Sequence, residues 1–365
     1  MNKLLLIFVF AFSLTVPLSY AGSASAITLT PITTGFNGII GIDHYEPTNQ
    51  VVVSVNYANG IPYNFELIAA DGSRTQYSTI SGLSDEVKIA SAKDDGGGVS
   101  IGGFASGTLF TGTGIAGQVT RIAPGGTQPF GAPWVTLPGE TGLLRGSTYV
   151  DRTGIFGGDL IVVTTAGGVW QVTSTGVPTQ LAQINTHLEG VITVPNDSVK
   201  YGPWAGKILA GAEQQGLIYS IDTLGNVASY SLGINPEDFD LIPANQNFFG
   251  VNYPTQLLGA PPSEFAGMVG DFIITQESPG ILWHVKWDGS QFVTQNIAQV
   301  SQWEHVTFSS AGIVEIPPTE QIIGGEIIPI ESASLLLAGA QTNALWIIPV
   351  VLTGAGIGLV LARKK

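Results

Sequence analysis

Between residues 27 and 316 the chain alternates short apolar runs with glycine-marked turns, and the runs recur in phase. A glycine followed, one residue on, by an apolar–aromatic–x–apolar register recurs five times, at residues 60–65 (GIPYNF), 117–122 (GQVTRI, with Thr120 in the aromatic place), 167–172 (GGVWQV), 216–221 (GLIYSI) and 280–285 (GILWHV). Successive glycines are 57, 50, 49 and 64 residues apart. Nine or ten residues before each one a second strand-like run begins, at Gln50, Gly107, Gly158, Gly206 and Gly270. Hairpin chemistry follows each copy: Asp71-Gly72, Gly125-Gly126, Thr175-Gly176, Gly225-Asn226 and Asp288-Gly289. Two alternating runs joined by turns cannot bury both faces alone, so each unit must stack on the next. A repeat of about 50 residues with four short strands predicts an all-β propeller. A sandwich of unrelated strands is the competing architecture, and it would show turns without a repeated register.

Each unit also opens with a short run suited to lining a central channel, and six such runs occur: at Asp43, residues 86–89 (EVKI), Arg145, Glu189, Glu237 and Glu304. Six inner strands predict six blades; five with an extra strand is the alternative count. The sixth unit has little strand-like sequence after it, so residues 27–33 are expected to complete it and remove a free sheet edge. Residues 252–268, rich in proline and aromatics within the longest repeat, read as an insertion placed to cap the propeller mouth.

Residues 187–194 (HLEGVITV), 206–212 (GKILAGA) and 216–222 (GLIYSID) with Gly225-Asn226-Val227 resemble a blade of the six-bladed propellers typified by strictosidine synthase, the SMP-30/gluconolactonase group and NHL repeats. The resemblance extends over roughly residues 180–310. It implies a calcium ion in the channel, held by Glu189, Glu237 and Glu304 with Asp43 as a fourth ligand. The channel asparagines recurrent in the lactonases are absent, and Arg145 stands at one corresponding position.

The residues support a channel site independently. Radial repetition aims equivalent positions at one axis, where several acids repel one another unless a cation or a guanidinium neutralises them. Arg145 is the guanidinium candidate, and calcium suits a hard oxygen cage. The structural alternative is that the glutamates only bond backbone amides or Arg145. His44, His187 and His305 lie within two residues of these acids, so His187 or His305 as a general base for water gives the alternative of a metal-dependent lactonase- or esterase-like hydrolase. The leading expectation is a non-catalytic binding propeller. Gly98-x-Ser100-x-Gly102 matches a nucleophile-elbow pattern but sits in a glycine-rich strand region with no helix after it.

The ends of the chain change the picture from a domain to an address. Residues 1–26 carry Lys3, an apolar run and a closing Ala24-Ser25-Ala26, the order of a secretory signal peptide. Residues 344–362 are 19 uncharged residues followed by Arg363-Lys364-Lys365. As a helix they span about 28 Å, one bilayer core, with the basic tail inside and the body outside. A hydrophobic helix with a terminal basic cluster also resembles tails processed by sortase- or archaeosortase-like enzymes, which implies removal and re-anchoring. Residues 317–343 read as a proline-containing stalk. The prediction is an exported, surface-anchored propeller whose partners are the membrane, through that helix, and an extracellular ligand or protein.

Composition then excludes chemistries. There is no cysteine, so no disulfide, thiolate metal site or cysteine nucleophile. Four of the 13 Lys and Arg lie in the two end segments, which leaves nine basic residues against all 27 acidic ones in residues 27–343, a charge of −18. That balance argues against nucleic acid and favours cations.

Overall fold

The in-phase runs form strands, and the turns between them make each repeat a four-stranded antiparallel sheet. The computed structural model describes residues 26–127, 133–145 and 148–313. The expected leader apart from Ala26, the stalk, the C-terminal helix and the basic tail lie outside the described residues. No helix among the described residues is long and apolar enough to cross a membrane.

Strand β1 (Thr30–Thr34) stands apart from the strands that follow it. The first blade is β2 (Ile42–Tyr45), β3 (Gln50–Ser54), β4 (Phe65–Ile68) and β5 (Arg74–Gln76). The second is β6 (Ala90–Ser91), β7 (Leu109–Gly112), β8 (Gln118–Ile122) and β9 (Val135–Thr136). The third is β10 (Thr148–Val150), β11 (Leu160–Val163), β12 (Gly168–Val172) and β13 (Pro178–Gln183). The fourth is β14 (Glu189–Thr193), β15 (Ile208–Ala212), β16 (Leu217–Ile221) and β17 (Val227–Tyr230). The chain then lays down β18 (Asp238–Leu241), leaves to form the hairpin β19 (Asn247–Asn252) and β20 (Gln256–Ala260), and returns with β21 (Phe272–Gln276), β22 (Ile281–Trp287) and β23 (Phe292–Gln299). Strands β18, β21, β22 and β23 make the fifth blade. The last strand, β24 (Trp303–Ser309), is the inner strand of the sixth, whose order is β24-β19-β20-β1.

Among the described residues there are six sheets of four strands, which decides for six blades over five. The inner strands neighbour one another in the closed cycle β2, β6, β10, β14, β18, β24. Ring closure departs from expectation. The N-terminal segment supplies only the outermost strand of the sixth blade, while residues 247–260 supply its middle. Much of the segment expected to cap the mouth is therefore sheet: β19 pairs with β24 on one side and β20 with β1 on the other. Two further bounds moved. Strand β6 begins at Ala90, past the 86–89 run, and β4 begins at Phe65 instead of directly after Gly60.

Blade geometry explains the burial pattern. Second strands such as β11 and β15 are buried at every residue, because both their faces pack on neighbouring blades. Outer strands β5 and β17 are largely exposed edges and carry polar residues accordingly. The buried apolar residues fall into six clusters, one in each gap between adjacent blades. Val52 and Phe65 of the first blade, for example, pack with Leu109 and Ile122 of the second. Ile42 and Val53 meet Phe249, Val251 and Leu257 of the sixth, which closes the ring.

Candidate functional site

At the mouth where the inner strands begin, three acids converge. Glu189 opens β14, and the pairing with β15 slips between Glu189 and Val191. Gly190 makes that slip possible: its φ is +45°, and a Cβ there would stand 2.5 Å from the Glu237 carbonyl oxygen. The close approach of these strands brings Glu189 beside Glu237, which directly precedes β18. Glu213 enters from the 3-10 turn Glu213–Gln215 after β15. Carboxylate oxygens of Glu189, Glu213 and Glu237 all lie within 4.8 Å of one another.

A fully buried lysine lies against this group. Lys88, from the segment leading into β6, reaches across the ring from the second blade to the fifth and sixth. Its Nζ contacts Glu237 Oε1 and stands 3.5 Å from Glu304 Oε2 and 4.0 Å from Glu86 Oε2. Burial opposes its charge, but Glu237, Glu304 and Glu86 outweigh that and hold the ammonium protonated. Lys88 does not neutralise every acid. Burial raises Glu237 well above the carboxylate range, and Glu189 and Glu304 add to this against the pull of Lys88. Glu189 goes the other way: burial would raise it, but His187, the Glu237 carboxyl and Lys88 together hold it low. Within the Glu189–Glu237 pair the two carboxyls are thus pushed in opposite directions, Glu237 toward its protonated form and Glu189 toward its anion. Desolvation, with repulsion from Glu189 and Glu277, pushes Glu213 up to about 7. Desolvation also raises Glu304 to about 7 despite Lys88.

The four expected metal ligands are thus divided. Glu189 and Glu237 meet, Glu304 joins them through Lys88, and Asp43 is held elsewhere. Asp43 takes Lys93 Nζ at 2.8 Å and the Ser91 N–H at 2.6 Å. The axial cation is Lys88 and not Arg145, which instead forms a pair at the rim with Asp85 (3.2 Å) and Glu86 (2.7 Å). His187 Nε2 comes within 2.9 Å of Glu189 Oε1. His305 is buried, its Nδ1 is 3.8 Å from Asp238, and desolvation keeps it neutral. His44 bonds Asn49 at 3.0 Å and His284 bonds Asp271 at 2.8 Å, both as structural contacts. Sequence reasoning missed Lys88 and Glu213. The signal for Lys88 was the strand-like run 86–89, in which alternation puts Lys88 on the same face as Glu86. Glu213 sits in a turn between repeat strands and had none.

No family model and no curated protein matches this chain. Solved structures share its fold at low identity. A streptogramin B lyase is 12% identical, with 79% of this chain and 93% of that one covered at a TM-score of 0.46. A candidate gluconolactonase is 10% identical, covering 76% and 83% at 0.46. The PQQ-bound aldose sugar dehydrogenase from Streptomyces coelicolor is 13% identical, covering 78% and 90% at 0.47.

Proposed function

We propose that this chain is an exported, C-terminally anchored binding propeller whose acidic mouth holds a divalent cation, with calcium the best chemical match. The observation that carries the reading is the group Glu189, Glu213 and Glu237, with ligand oxygens within 4.8 Å of one another. Three carboxyls this close, one of them kept protonated and another raised to about 7, are short of positive charge. A hard cation supplies that charge in place of that proton, and an all-oxygen donor set suits calcium. Lys88 meets Glu237 through one oxygen, and Glu237 has a second. The leader and tail motifs support the address. Thermal melts of the full-length chain in detergent, with calcium and with chelator, test the cation. A specific ion at about 100 times its Kd adds about 2.7 kcal/mol. The expected result is a higher Tm with calcium that Glu213→Gln largely abolishes; identical melts in calcium and chelator would remove the metal.

One contact favours a second reading, a metal-dependent lactone or ester hydrolase. His187 points Nε2 at Glu189 Oε1, 2.9 Å away, so that nitrogen carries the proton and Nδ1, 3.5 Å from Gln214 Nε2, is the one left to take a proton from water near the acidic group. Buried His305 is not so placed. Turnover of a panel of lactones and aryl esters that disappears in His187→Ala with an unchanged Tm supports the hydrolase; no turnover leaves the binding protein.

A further inference from the structure

The opposite mouth, where the inner strands end, carries a different arrangement. Its acids are already satisfied. Asp43 holds Lys93 and accepts from the Ser91 N–H. Deeper in the channel, at the start of β18, Asp238 accepts from the Val306 N–H at 3.0 Å; nearer this mouth Asp240 accepts from the N–H groups of Leu241 at 2.7 Å and Phe308 at 3.3 Å. Arg152, two residues beyond β10, is the reverse case: it is exposed, and among the described residues it makes no hydrogen bond or ion pair. It stands where three cavities meet, of about 90, 260 and 520 Å³. The smallest runs into the channel and is lined by two buried polar atoms without a hydrogen-bond partner, Ser91 Oγ and His305 Nε2. The largest has a mostly apolar wall that includes Tyr149, Ile155, Pro195, Tyr201 and Pro243. Asp95, Thr153, Thr193, Asn196 and Asp240 line it beside that wall and Arg152, and its volume is that of a small-molecule site.

We infer that this mouth is a second binding site, for a small organic acid: its carboxylate seats on the Arg152 guanidinium and its apolar body lies in the 520 Å³ cavity against Tyr149 and Pro243. The planar guanidinium fits a carboxylate bidentately, and burial of the ligand strengthens that pair. A monocarboxylate suits the site better than a phosphate. With one arginine facing Asp240 in two of these cavities and Asp95 in the largest, the site repels a dianion more than a monoanion. An organic cation fits worse still, because every acid at this mouth already has a donor, whereas the guanidinium has no acceptor among the described residues. The site shares none of the acidic-mouth residues, so it stands or falls apart from the calcium reading.

The test is calorimetric titration of the full-length chain with acetate, benzoate, 3-phenylpropionate and indole-3-acetate, and with 3-phenylpropionamide as neutral control. The aromatic acids should bind, acetate weakly, and the amide at least tenfold more weakly than its acid. Arg152→Met, an exposed substitution expected to leave Tm unchanged, should weaken the acid at least tenfold. Asp240→Asn should tighten it severalfold, and Glu213→Gln should leave it unaltered. Equal affinity for acid and amide, undiminished binding by Arg152→Met, or no binding of any acid up to about 10 mM would overturn the proposal.

Discussion

Lys88 sits fully buried with carboxylates of two distant blades on its ammonium, so its removal strands charge instead of merely deleting a contact. Breaking a buried pair from one side costs about 3–5 kcal/mol. Lys88→Met should therefore lower the urea midpoint strongly at pH 8. Much of the loss should return at pH 5, where Glu304 and Glu213 take up protons and no longer need the ammonium. A loss of equal size at both pH values would mean that packing, not charge, is what Lys88 provides. The residue scale is also where sequence reading was weakest. Glu189, Glu237 and Glu304 were identified because each stands at the start of a repeated strand. Lys88 stands at the equivalent place, but a lone lysine between apolar neighbours reads as a solvated face until the ring puts that face on the axis.

At the element scale the sixth blade depends on strands remote in sequence. Strand β1 docks on β20 through residues 30–34, and Ile27 adds a backbone bond to Ile297 at 2.9 Å. Gly259 of β20 allows this approach: a Cβ there would stand 2.8 Å from Ile32 Cδ1 and 3.0 Å from Ile313 Cδ1. Overpacking of this kind costs typically about 1–3 kcal/mol. Gly259→Val should lower the urea midpoint by that much and speed proteolysis of the N-terminal segment before any other site; a wild-type midpoint and cleavage pattern would show that β1 is not needed for closure. The five Gly–apolar–aromatic copies were legible because both central strands of those blades are contiguous in sequence. The β19–β20 hairpin was not, since it interrupts the fifth blade's sequence while serving the sixth. Residues 252–268 read as an insertion over the mouth, and nothing local says that a hairpin there will join a sheet begun elsewhere in the chain.

The whole molecule encloses an acidic channel. Besides Glu304 and Glu213, desolvation raises Asp238 and Asp240 to about 7 each. A carboxyl raised in the folded chain makes no difference below about pH 4, where it is protonated in both states. Between there and pH 7 the unfolded chain ionises first and stability falls; above 7 the loss is complete and level. Urea unfolding of the wild type and Asp240→Asn across pH 4–8 should show the wild type losing stability relative to the variant over that window, with a constant difference above it. A wild type that gains stability relative to Asp240→Asn as the pH rises would mean that Asp240 is stabilised as an anion. The sequence by itself determined the blade: short apolar strands in a two-residue alternation, broken by turns that glycine and asparagine make possible, cannot exist unstacked, and the repeat counts the stack. It also determined the acidic excess and which glutamates begin inner strands. Only the tertiary structure decided which strands close the ring, that Lys88 and not Arg145 crosses the axis, that Asp43 belongs to a different group, and that Arg152 has no partner among the described residues. Those are contacts between residues more than 200 positions apart, such as Lys88 and Glu304 or Thr30 and Gly259. Periodicity fixes which face a side chain takes within its own blade, whereas ring closure alone fixes what it meets across the channel.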